Sequence, residues 1–114
     1  FMGGGGGMGE RCGVVEAGCM ILSFIFARVA PFQEPWPNNH LIRVMHGRFV
    51  EKISCLRCAD IQAKEEAEGI APEKMCDRTI AEGAKIIAGV IFDSDDIFKA
   101  VTPADYENDP KPFE

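Results

Sequence analysis

A run of glycines that opens directly into an apolar helix constrains this chain more than any other stretch. Residues 3–9 read Gly-Gly-Gly-Gly-Gly-Met-Gly, then come Glu10-Arg11-Cys12-Gly13 and a nearly uncharged segment to Ala30. Glycine adopts backbone angles closed to other residues, so the run predicts a loop with tight turns or a close backbone approach. The segment after it predicts a helix from about Glu10 to Val29, with Glu10 at its positive end and Cys12 in its first turn. There the unpaired N–H groups favour an anion, and a thiolate is one. Cys12 is therefore the first candidate for thiol chemistry, with Gly9 and Gly13 as the backbone that would cradle a bound group.

Other readings of the same stretch fall away. There is no GxxxxGK[ST] pattern, so a Walker loop is excluded, and a GxGxxG match inside a glycine run has no weight. The apolar run 17–27 is broken only by Ser23 and is flanked by Glu16 and Arg28. It is shorter than the roughly 20 residues of a membrane span. Cys12 and Cys19 are seven residues apart, two helical turns, which is too far for one disulfide. Cys19 reads as a small core residue.

At 114 residues the chain is one domain at most, and its 46% apolar content suffices for a core. The net charge of −6 argues against nucleic-acid binding. Seven of the acids lie from Ile91 to Glu114, against two lysines. Five cysteines are many for this length, and the number is odd. With no basic n-region leading into an apolar h-region, they point to reduced thiols in a cytoplasmic setting rather than to a disulfide-stapled fold. The chain opens on Phe1, and a preceding segment is expected, one that supplies a further helix and one ligand.

Three prolines make residues 30–39 a loop in which Trp36 packs across the surface and Asn39 caps the next helix. Leu41, Met45, Phe49 and Ile53 recur every four residues and predict a helix over about 40–54, with Arg43, Arg48, Glu51 and Lys52 in water. His46 falls beside that stripe and reads as a half-buried structural residue. Cys55-Leu56-Arg57-Cys58 is a CxxC, able to form a reactive dithiol or supply two corners of a metal site. Residues 62–71 read as a polar linker that stops at Gly69. A third helix starts near Pro72, with Cys76, Ile80, Ala84, Ile87 and Ile91 as its buried face. Asp93, Asp95 and Asp96 lack the glycine and twelfth-position glutamate of a calcium loop. The expected fold is all-α. It is a small bundle of three main helices over residues 1–91, with a glycine-rich N-terminal loop. Residues 92–114 form an acidic irregular tail, from which Ile97, Phe98 and Val101 dock back.

These residues resemble a family named for the cysteine pattern C-GCAxxG-C-C and for an expected redox activity. The glycine run with Glu10-Arg11-Cys12-Gly13 is similar to its glycine-rich lead and Cys-Gly-Ala-x-x-Gly motif. Val14 stands at the Ala position and Ala17 at the last Gly position, with Gly18 one place later. Phe49-Val50-Glu51-Lys52-Ile53-Ser54-Cys55-Leu56-Arg57-Cys58 resembles the family's Phe-x-Glu-Lys-aromatic-Gly-Ser-x-x-Cys stretch. That register puts the family cysteine at Cys58 and leaves Cys55 where serine is usual. Cys76 and its helix resemble the last family cysteine. The family's first cysteine precedes the glycine run and has no counterpart here. The resemblance covers about residues 1–91 and implies a helical domain with redox thiols.

Two classes of function follow. In the first, Cys12, Cys58 and Cys76 are exchanging thiols, with Cys12 attacking. Alternatively, with Cys55, they are ligands for zinc or an iron–sulfur cluster, and a redox partner protein is implied. In the second, the chain is a non-catalytic helical interaction module with structural cysteines. A third arrangement, Cys12 as nucleophile with His46 as base, has no orienting third group. An uncovered face on the first helix would favour a homodimer.

Overall fold

The computed structural model describes residues 2–26, 36–102 and 104. Among the described residues six helical segments follow one another: α1 (Met2–Gly5), α2 (Gly13–Phe26), α3 (Trp36–Ile53), α4 (Cys58–Ala67), α5 (Asp77–Phe92) and α6 (Ser94–Lys99). A short 3-10 turn, Pro72–Lys74, precedes α5. Among the described residues there is no strand, and the expected all-α class holds.

Helices α2, α3 and α5 pack on one another and enclose the core. The period-four stripe of α3 is its centre, since Leu41, Met45, Phe49 and Ile53 are all fully buried. Val15 and Leu22 of α2, Ile61 of α4 and Val90 of α5 close around it. Each such side chain contributes about 1.5–3 kcal/mol by leaving water. Two glycines let the helices approach closely. A Cβ on Gly18 would overlap Met45 Sδ, and one on Gly83 would overlap Val14 Cγ1.

Several boundaries differ from those the sequence predicts. Helix α2 begins at Gly13, so Cys12 stands just ahead of the first turn, its carbonyl accepting the Glu16 N–H at 3.1 Å. Helix α3 begins at Trp36 and takes in Pro37, because proline is tolerated in a first turn. Asn39 thus lies inside the helix and does not cap it; residues 27–35, with the rest of the expected loop, and the Trp36 side chain lie outside the described residues.

The expected linker is a helix, α4, whose inward face is Cys58, Ile61 and Glu65 at helical spacing. Gly69 (φ 80°) does end that segment. Helix α5 is rotated by about one residue from its expected facing. It buries Thr79, Gly83 and Val90. Ile80 is 57% exposed, and Ala84 also faces water. The start of the acidic tail forms α6, which rests on α3 and α5. Ile97 and Phe98 dock as expected, Phe98 edge-on to Phe26 with ring centres 6.1 Å apart.

Candidate functional site

The site is built around one antiparallel bridge between Arg11 and Arg57. Its two hydrogen bonds run from Cys12 N–H to Leu56 O (2.8 Å) and from Cys58 N–H to Glu10 O (2.6 Å). Side chains alternate across extended backbone, so Arg11 and Arg57 share one face and Cys12 and Cys58 share the other. Burial agrees: both arginines are exposed, and Cys12 and Cys58 are 7% and 8% exposed. Cys12 and Cys58 are thus diagonal neighbours across the pair, a relation that separates residues by roughly 7–8 Å in an antiparallel ladder. On the outer face each arginine has its own carboxylate. Arg57 pairs with Glu10 at 3.5 Å, and Arg11 Nε pairs with Glu16 at 2.5 Å.

The glycine run makes this pairing possible. Gly3, Gly4, Gly5, Gly6 and Gly7 all have φ between 65° and 83°, the left-handed region. The turn folds back so that Gly9 N–H meets Gly3 O (2.9 Å) and Glu10 N–H meets Gly4 O (3.1 Å). A Cβ on Gly4 would sit 2.6 Å from Glu10 N and 2.7 Å from Cys58 Cβ. Gly9 is less tightly confined: its carbonyl accepts the Ala59 N–H, and an added Cβ would lie 3.1 Å from Ala59 Cβ. Gly9 therefore packs against α4. Gly13 opens α2 and lines an apolar groove between α2 and α5.

Cys76 reaches the same region from α5. It is the N-cap residue, in a left-handed conformation (φ 75°), and its carbonyl accepts the Ile80 N–H at 2.8 Å. Its own N–H donates to Glu65 Oε2 at 2.9 Å, and Thr79 Oγ1 approaches Glu65 Oε1 at 3.4 Å. Glu65 is 1% exposed, a buried carboxylate held by the N-terminal end of α5. Lys64 ties α4 back to the end of α3 through Ile53 O and Ser54 Oγ, both at 3.1 Å.

Three thiols therefore sit at three helix N-termini: Cys12 before α2, Cys58 as the first residue of α4, and Cys76 capping α5. Their electrostatics couple them. Burial pushes the Cys58 thiol up, and the charge of Cys12 adds to it. Cys76 is raised by burial, then by Glu65, Cys58 and Cys12. Cys55 is raised by burial and by Asp60, Cys12 and Glu65, against the lowering pull of Lys64. Cys12 and Cys58 share one face of the bridge, and Cys55 and Cys76 lie near enough to Cys12 to feel its charge. Cys19 stands apart, raised by burial and touched by Arg11 at 3.6 Å.

All five cysteines are free thiols. A four-sulfur donor set suits zinc or an iron–sulfur cluster. Among the described residues, no group of three or more His, Cys, Asp or Glu side chains is arranged to hold one ion. His46 belongs to a different cluster. Its Nε2 accepts from the Arg11 guanidinium and its Nδ1–H donates to Ile42 O at 2.7 Å, which leaves neither nitrogen to serve as base for Cys12. Burial holds its pKa below the usual 6.5. Sequence reasoning missed Glu65. Its signal was the spacing of seven from Cys58, two turns along one helix face.

Fold and site together define a small all-α domain that gathers thiols at the heads of its helices beside a left-handed glycine turn. Family comparison gives the same class independently, since residues 1–90 match the model described as Putative redox-active protein (C_GCAxxG_C_C). The chain belongs to that family. No curated protein and no solved structure matches it. Among the described residues no helix is long and apolar enough to cross a membrane.

Proposed function

We propose that this chain is a thiol–disulfide redox protein that works through the group Cys12, Cys58, Cys76 and Cys55. The observation that carries the reading is the pairing of Cys12 and Cys58 on one buried face of the two-stranded bridge. Two thiols from remote parts of the chain on one buried face support exchange within the chain.

The chemistry is exchange with a partner that bears a disulfide. A thiolate of the group attacks the partner's S–S bond, forming a mixed disulfide and releasing the partner's first sulfur as thiolate. A second cysteine gives up its proton and attacks the mixed disulfide. An S–S bond closes within this chain, and the partner leaves as a dithiol. Two electrons pass to the partner, and the two thiol protons end on its sulfurs. Cys12 and Cys58 are nearly shut off from solvent, so an outside disulfide meets Cys55 or Cys76 first. On this reading Cys12, being buried, is the resolving thiol rather than the attacking one. At Cys12, Cys58 and Cys76 the positive helix end offsets part of the burial cost of a thiolate.

The test is equilibration with oxidised and reduced glutathione at graded ratios, followed by counting of free thiols and metal analysis. The expected result is reversible loss of two thiols per chain, abolished by Cys12→Ser and kept by Cys19→Ser. Five free thiols at every ratio would support the interaction-module reading instead. A stoichiometric metal bound by these sulfurs would sink the exchange reading.

A further inference from the structure

The outer face of the α2–α5 layer is apolar throughout. A groove of about 480 Å³ runs between the two helices. Small residues such as Gly13, Ala17, Ala84 and Ala88 line it, with isoleucines beside them and no polar side chain. The sequence predicts this face of α5 to be buried; Ile87 and Ile91 are half-buried against the core, whereas Ile80 and Ala84 are exposed. Helix α2 is apolar on nearly every side, with Glu16 as its one charge. A helix of that composition belongs in an interior.

The exposed area fits a definite kind of occupant. Phe24 and Phe92 are 92% and 86% exposed, and Met20, Ile21, Ile25 and Ile80 are about half exposed. At about 150–250 Å² for each aromatic ring, these six side chains leave on the order of 700 Å² of apolar surface in water. The largest patch on a typical monomer is roughly 300–600 Å². A standard interface takes about 800 Å² from each partner. The same face also carries both halves of a fit: a trough floored by small residues and a ridge of large ones. A face that holds both is self-complementary under a two-fold axis. A membrane surface is the poorer match, because an anionic bilayer recruits basic segments and this chain has a net charge of −6.

We propose that the α2–α5 face is the interface of a two-fold dimer of this chain, the ridge of each copy seated in the groove of the other. The two-helix layers then stack face to face, four helices around a shared apolar seam. This inference does not rest on the redox reading.

Sedimentation velocity of the full chain under reducing conditions tests it, from low to high micromolar concentration. Reduction removes any dimer linked by disulfides. The expected species is a dimer. Ile80→Glu and Phe24→Glu change side chains that are exposed in one copy, so each is expected to give a monomer with unchanged helical circular dichroism. A wild-type monomer at the highest concentration overturns the proposal. So does a dimer that survives both substitutions. A monomeric wild type that floats with phosphatidylcholine–phosphatidylglycerol vesicles also overturns it, in favour of a lipid surface.

Discussion

Replacing Gly4 by alanine tests how the glycine turn positions the thiols, and Gly5 supplies the internal control. Both residues are left-handed, at φ 72° and 77°. An alanine at either site pays the same conformational cost of about 1–2 kcal/mol. The two differ in their surroundings. The new Cβ at position 4 meets Glu10 N at 2.6 Å, Glu10 O at 2.7 Å and Cys58 Cβ at 2.7 Å, whereas at position 5 it meets nothing within 4 Å. Two of those three contacts are backbone atoms held by the bridge, so they cannot swing aside. Forced overpacking of this kind costs about 1–3 kcal/mol. Gly4→Ala should therefore be less stable than Gly5→Ala by that amount, or roughly 5–15 °C in Tm at about 5 °C per kcal/mol. Thermal melts by circular dichroism read the difference. Alkylation read by peptide mapping should also find Cys58 faster to react in Gly4→Ala, because the displaced turn uncovers it. Equal melting temperatures for the two variants, with equal Cys58 reactivity, would refute the close approach of the turn to α4.

Other outcomes follow from the same contacts. Glu65→Gln removes a carboxylate that raises Cys76 and Cys55, so the pH at which each is half-alkylated should fall, whereas Thr79→Val should leave that charge in place. Glu65→Ala leaves the Cys76 N–H without its acceptor and should cost about 1–3 kcal/mol in urea denaturation. Cys19, Cys55, Cys58 and Cys76 all sit above their ordinary 9.0 in the folded chain. The unfolded chain loses those protons first, so stability should hold below pH 9 and decline as pH rises beyond it, seen as a falling urea midpoint. Phe49→Ala empties the centre of the core and should cost about 3–5 kcal/mol by the same assay.

Much of the fold was legible because periodic burial leaves a mark on sequence. Leu41, Met45, Phe49 and Ile53 announced α3, and each is buried. The facing of α5 was not legible for a specific reason. Its contact with α2 is made at Gly83, and its contact with α4 through Thr79 and Glu65, residues that carry no hydrophobic signal. Ile86, Ile87 and Ile91 pack against the core only in part, and Ile80 is exposed. Helix α4 was hidden likewise: Ile61 is its one large buried aliphatic residue, and Glu65 looked like surface charge. At the site, the candidacy of Cys12, Cys58 and Cys76 followed from helix ends and spacing. The bridge that brings the first two together was not readable, because pairing between residues forty-six apart is a property of the folded glycine turn. The family match to residues 1–90 accords with the resemblance in those motifs.

The most direct test of the central claim is a map of the disulfide formed when the reduced protein is oxidised under dilute conditions. Non-reducing digestion and mass spectrometry identify the linked peptides. The account predicts one intramolecular bond between two members of the group Cys12, Cys55, Cys58 and Cys76, with Cys19 left as a free thiol. A bond to Cys19, bonds only between chains, or no bond at all would contradict it.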